Sequence, residues 1–139
     1  MQGLRRRIVY VTLFETLAIA GSGAAFEAMA GGGWGTSTGL AVATSLIAVA
    51  WNFAFNHVFE AWERRQPVKG RSLKRRTAHA VGFELGLILM TVPLIAAWLQ
   101  VGWWAALVMD LSLVMGFVVY TFCFNWAFDA VFGLPASAL

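Results

Sequence analysis

A chain of 139 residues that is 60% hydrophobic and only 12% charged, with a mean hydropathy of +0.71, lies far from soluble domains, where roughly a quarter of residues are charged. Its net charge of +3 comes from basic residues confined to two short stretches, so it argues for no nucleic-acid partner. An ordinary soluble domain is excluded, and lipid becomes the expected surrounding.

Apolar blocks occupy residues 8–30, 36–59, 78–99 and 103–132. Each meets or exceeds the ~20 residues a helix needs to cross a ~30 Å hydrocarbon core. The expected fold is all-α and integral to the membrane, with four transmembrane helices arranged as two helical hairpins. Ahead of the first block stand Arg5, Arg6 and Arg7, and a basic triplet before an apolar run containing Ala18-Ile19-Ala20 resembles a signal peptide. Glu15 interrupts that run, however, and the segment aligns with an internal one, so it is expected to persist as a helix. Gly31-Gly32-Gly33 suits a tight turn, and Trp34 suits the headgroup layer beyond it.

In the second block, Asn52, Asn56 and Glu60 fall on one helical stripe, and Trp51, Phe55 and Phe59 on the next. Arg64, Arg65, Lys69, Arg71, Lys74, Arg75 and Arg76 follow; with the first triplet they make up all ten Lys and Arg. Positive-inside bias then predicts that both termini and the central loop are cytoplasmic. The loop itself reads as a solvated face against anionic headgroups. The third block carries His79, Glu84, Pro93 and a Gly82-x-x-x-Gly86 spacing that lets helices approach closely. Trp103 and Trp104 open the fourth, which contains Asp110, Tyr120, Thr121, Phe124, Asn125, Phe128 and Asp129. Cys123 is the sole cysteine and reads as a small buried hydrophobe; it excludes an intramolecular disulfide or a multi-cysteine metal site.

The second half repeats the first. Arg7, Phe14 and Glu15 return as Arg76, Phe83 and Glu84, Trp34 as Trp103, and the stretch Trp51 to Glu60 as Tyr120 to Asp129, all at an offset of 69 residues. Residues 1–66 and 67–139 are therefore expected to form two transmembrane-pair repeats. Each makes two crossings, so both enter from the same side as parallel repeats.

Carboxylates at bilayer depth cost about 2.5–3.5 kcal/mol on insertion scales and are functional by default. Glu15 lies about 10 Å along the axis from Arg7, at 1.5 Å per residue, and Glu84 at the matching depth. An apolar setting penalises the ionised carboxylate, whereas a bound cation favours it. One such group can hold a proton or a cation, which is the minimum chemistry of exchange. Glu15, Glu84 and the deeper, unrepeated Asp110 are the candidate coupling acids, and His79 is a candidate proton relay to Glu84. The polar and aromatic cluster of Trp51, Asn52, Asn56, Glu60, Tyr120, Asn125 and Asp129 reads first as an interhelical clasp opposite the arginines. Its sharper reading is an entrance where aromatic faces attract a cation. Glu27 reads as a solvated interfacial acid or part of an exit path.

These motifs together resemble the proteobacterial antimicrobial compound efflux transporters. The family pattern Arg-x-x-His-Ala-x-x-Phe-Glu is matched by Arg7 to Glu15, with Tyr10 and Val11 in place of His and Ala, and by Arg76 to Glu84. Its pattern Trp-Asn-x-x-Phe/Tyr-Asn-x-x-Phe-Asp/Glu is matched by Trp51 to Glu60, and Tyr120 to Asp129 resembles the fourth motif. The resemblance implies an inner-membrane, proton-coupled exporter, not an enzyme, of lipophilic organic cations such as biguanides, quaternary biocides and short diamines. It implies no cofactor beyond the coupling proton and identifies Glu15 as the family's essential first-helix acid. Four helices enclose little space, so a homodimer in membrane lipid is expected. Two other readings remain open at this point: a non-transporting structural or regulatory membrane protein, and a passive cation pore.

Overall fold

The computed structural model describes residues 1–139 as an all-α chain. Its helices are α1 (Gly3–Ala30), α2 (Trp34–Arg64), α3 (Leu73–Leu99) and α4 (Trp103–Phe132), with a 3-10 turn at Ala136–Ala138. All four are long and apolar enough to cross a membrane. They form two hairpins, α1–α2 and α3–α4, and run past the apolar blocks: α1 takes in the arginine triplet and α2 extends to Arg64. Arginine and glutamate are good helix formers, so leaving the apolar stretch does not end the helix.

The tight turns are built by matching residues. Gly31 ends α1 in the left-handed region at φ 64°, and its N–H donates to Glu27 O at 2.8 Å. Its repeat equivalent, Gln100, adopts φ 54° after α3 without the freedom of glycine. The Gln100 side chain stays local, donating to Ala97 O at 2.7 Å. Glu27 is half-buried rather than solvated: its Oε2 accepts from Gly33 N and from Ser37 Oγ, each at 2.9 Å. A carboxylate placed there satisfies a free donor at the start of α2 and complements the positive end of the helix dipole. The apparent exit acid is a helix cap.

Internal contacts divide the chain into two units that cut across the hairpins. One comprises Met1–Ala41 with Leu111–Leu139, the other Val42–Asp110. In the first, Phe26, Ser37, Leu40 and Ala41 are buried, and Gly23 lies against Thr38, joining α1 to the start of α2. In the second, Thr91, Val92 and Ile95 of α3 are buried, as are Ala106, Met109 and Asp110 of α4. Elsewhere the apolar residues face outward: Phe53, Leu89 and Phe122 are at least 75% exposed. In lipid an exposed apolar side chain carries no penalty, so packing goes to small and polar residues instead. Cys123 is exposed too, which corrects the expectation of burial. Its small apolar side chain is as well placed toward lipid as within protein.

Candidate functional site

In the unit Met1–Ala41 with Leu111–Leu139, the first half of α1 packs on the second half of α4 through aromatic rings. Phe14 lies 5.2 Å from Phe124 and 5.0 Å from Tyr120, and Tyr10 lies 5.1 Å from Phe128. Three polar contacts thread this cluster. Tyr120 Oη donates to Phe14 O at 2.7 Å, Tyr10 Oη donates to Asn125 Oδ1 at 2.5 Å, and Arg6 meets Asp129 Oδ1 at 2.6 Å. Polar groups in apolar surroundings need such partners. Glu15, next to Phe14, is half-buried and interacts electrostatically with Tyr120. The acid therefore sits beside a set of ring faces.

In the unit Val42–Asp110 the same scheme joins α2 to α3. Trp51 Nε1 donates to Phe83 O at 2.9 Å, and His79 Nε2 donates to Asn56 Oδ1 at 2.7 Å. Phe55 lies 5.8 Å from Phe83, and Phe59 lies 4.8 Å from the His79 ring. Each contact is the repeat equivalent of one in the first unit: Trp51 for Tyr120, His79 for Tyr10, Asn56 for Asn125. Asn56 Nδ2 also donates to Asn52 O and Oδ1, at 2.8 and 2.7 Å, while Asn52 itself is exposed. Thr121 is half-buried. His79 thus bonds the polar stripe of α2. Glu84, half-buried, lies on α3 within electrostatic reach of Asp110.

Asp110 is 8% exposed, and its side chain hydrogen-bonds Thr91. The single Thr91 hydroxyl proton is directed to Leu87 O at 2.9 Å. The Thr91 oxygen is then left to accept from a protonated Asp110, or the hydroxyl swings to donate to an ionised one. Thr91 was not singled out in the sequence, and only its place three turns from His79 on the same helix hints at it.

The Gly82-x-x-x-Gly86 spacing seats rings rather than a bare backbone. A Cβ on Gly82 would fall 3.1 Å from Phe55 Cζ, and one on Gly86 2.8 Å from Trp51 Cε2 and closer still to Cζ2. Leu13 and Leu17 are the repeat equivalents on α1, where the smaller Tyr120 replaces Trp51, and both are exposed.

The charged ends differ more. Asp129 pairs with Arg6, not with the repeated Arg7, whereas Glu60 is exposed. The arginines after α2 go to Glu63: Arg71 Nε lies 3.0 Å away and Arg75 Nη1 3.9 Å. Arg75 also donates to Gly70 O and Val68 O, at 2.6 and 3.1 Å, so part of the central loop's charge orders the loop itself. Glu63 has no acidic counterpart in the second repeat, where Phe132 stands, so the repeat did not reveal it. Nor did the repeat single out Arg6, because Arg6 and Arg7 both have basic equivalents, Arg75 and Arg76.

A sequence model of the chlorhexidine efflux transporters matches residues 2–65 and again 71–134. The chain belongs to that family. Three similar proteins are each described as a short-chain diamines transporter. That of Acinetobacter baylyi is 41% identical over 66% of this chain and 64% of its own length. That of Acinetobacter baumannii is 40% identical over 66% and 63%, and that of Vibrio parahaemolyticus 34% identical over 90% and 89%. The match thus spans less than two thirds of the length of both Acinetobacter relatives. No solved structure gives a significant match. The family is one of transporters rather than enzymes, and with four spanning helices this is a multi-pass membrane protein.

Proposed function

We propose that the protein is a proton-coupled exporter of lipophilic organic cations or short diamines. It acts by proton antiport in the bacterial inner membrane, with both termini cytoplasmic and as a homodimer in lipid. Its repeats are residues 1–66 and 67–139, and it needs no cofactor beyond the coupling proton. The observation that carries the reading is the half-buried Glu15, next to Phe14 in the chain and within electrostatic reach of Tyr120, with Phe14, Tyr120 and Phe124 clustered ring against ring. Ring faces attract a cation and a carboxylate balances it, so loading the cation displaces the proton. Linkage makes the exchange reciprocal: a cation that binds more weakly to the protonated acid must expel the proton when it binds. Glu84, Asp110 and Thr91 supply a second place to hold a proton, and the His79–Asn56 contact joins the neighbouring helices.

The test is transport of 1,4-diaminobutane by proteoliposomes under an imposed pH gradient. Wild type should move the diamine against its gradient, and Glu15→Gln should abolish that movement while remaining inserted. Gradient-driven transport by Glu15→Gln would overturn the mechanism, and downhill flux insensitive to the gradient would indicate a pore. Reporters fused at Gly32 and at the C-terminus test orientation; a cytoplasmic signal from Gly32 would overturn it.

A further inference from the structure

The guanidinium of Arg6 is held by three groups. Nη2 donates to Asp129 Oδ1 and Nη1 to Gly133 O, both at 2.6 Å, and Cζ lies 4.9 Å from the centre of the Phe128 ring. A carboxylate, a carbonyl and an aromatic face form a complete receptor for a planar, N–H-bearing cation. The side chain of Arg6 is 12% exposed and that of Asp129 37%, so the arginine fills the seat while the carboxylate still meets solvent. A cleft of about 330 Å³ opens beside it, lined by Gln2, Arg6, Arg7, Tyr10, Pro135 and Ser137. Space for a ligand therefore adjoins Arg6, the occupant of the seat, rather than Asp129 or Phe128 directly.

Arg6 stands where it can leave. Gln2 makes no side-chain cap on α1, and Gly3 begins the helix at φ 65°. The first turn of a helix has no intrahelical partners for its N–H groups, so unwinding it sacrifices few bonds. What holds that turn down is the C-terminal strap: Gln2 Nε2 donates to Leu134 O at 3.0 Å, and Ala136 N donates to Gln2 Oε1 at 2.9 Å. The repeat gives an internal contrast. Glu60 and Phe59 are the equivalents of Asp129 and Phe128, yet Arg75, the equivalent of Arg6, turns instead to Glu63, Gly70 and Val68. An arginine on Asp129 is thus not demanded by the motif.

We infer that Asp129, Phe128 and Gly133 O form a receiving site for N–H-bearing organic cations, with guanidinium-type heads preferred, and that Arg6 is its resident plug. This rests on the proposed transport of organic cations and supplies a loading step ahead of Glu15. The incoming cation takes the two hydrogen bonds and the ring face, and Arg6 swings out, so the charge around Asp129 is conserved. A quaternary ammonium, with no N–H, can use only the ring and the charge.

Binding to purified protein in nanodiscs tests this, with phenylguanidine and phenyltrimethylammonium as probes in a Glu15→Gln background. That background keeps the result independent of the coupling acid. A plug engaged about nine-tenths of the time lowers apparent affinity about tenfold. Arg6→Gln should therefore tighten phenylguanidine binding by about that factor, and phenyltrimethylammonium clearly less. Adding Asp129→Asn should cancel the gain. Arg6→Lys, which keeps a cation but loses the fork, should lie between and guards against a fold defect in Arg6→Gln. Unchanged or weaker phenylguanidine binding in both Arg6 variants, a gain that survives Asp129→Asn, or equal gains for the two probes would overturn the assignment.

Discussion

The α1–α4 and α2–α3 contacts are two versions of one design with different residues in corresponding places. In the first, tyrosines bond Phe14 O and Asn125, leucines fill the helix surface, and Arg6 closes Asp129. In the second, tryptophan and histidine bond Phe83 O and Asn56, glycines make room, and Glu60 is left exposed. The backbone scheme survived duplication while volume and charge were redistributed. The accepting groups and the phenylalanines around them were kept, while the donors changed from tyrosine to tryptophan and histidine. At the charged rim the residue types persist but their pairing differs, because water and headgroups can replace a lost partner there.

The strongest way to break this comparison is through volume. Gly86→Leu would give α3 the residue of α1 while leaving Trp51 opposite. Because even a Cβ at Gly86 overlaps the indole, overpacking should cost about 1–3 kcal/mol. Trp51→Tyr in the same chain should recover much of it, since the two positions would then carry the residues of the first repeat, Leu17 and Tyr120. Thermal unfolding in detergent checks both, and full stability of Gly86→Leu alone would show that the ring is free to move away.

The second test concerns the bonds common to both regions. Tyr120→Phe removes only the hydroxyl that Phe14 O accepts, and Tyr10→Phe removes the one on Asn125 Oδ1. Interhelical hydrogen bonds in membranes average about 0.6 kcal/mol and reach about 1.7. Tyr10→Phe should cost more than Tyr120→Phe, because Phe14 O belongs to a helix interior, whereas Asn125 Oδ1 loses its acceptor role here. Equal costs in chemical unfolding would argue that Asn125 finds another partner.

Much of this was legible in the sequence, and the reason is the repeat. An offset that preserves Phe14 and Phe83, Asn56 and Asn125, and Trp51 against Tyr120 picks out residues that touch across helices, and the structure joins them. Four apolar blocks likewise located four helices, because lipid demands length and continuity. Illegible were the partners of the charges. Whether Arg6 or Arg7 reaches Asp129 depends on rotation within the first turn of α1, and both residues are equally basic. Glu63 draws Arg71 and Arg75 because the loop folds back on α2, a path that no periodicity encodes. Thr91 beside Asp110 joins residues on different helices with no repeat to flag them. Glu27 read as a solvated or exit-path acid because its capping role needs the turn's geometry to be seen.

The smallest effects lie at that rim, and they sharpen the contrast between Glu60 and Glu63. The two carboxylates are less than a turn apart on α2, but only Glu63 has arginines within 4 Å. Exposed ion pairs contribute about 0–1 kcal/mol after solvent screening, and Arg71 is 38% exposed. Glu63→Gln should therefore lower stability by no more than about 1 kcal/mol, and Glu60→Gln should leave it within about 0.5 kcal/mol of wild type. Salt separates electrostatics from packing: the Debye length shrinks from about 10 Å at 0.1 M to about 3 Å at 1 M. The gap between wild type and Glu63→Gln should narrow across that range, while Glu60→Gln tracks wild type throughout. A Glu63→Gln gap that ignores salt would assign its cost to packing; if instead Glu60→Gln proves the more damaging variant, then Glu60 carries an ion pair after all. The two regions would then share the charged rim as they share the aromatic seam.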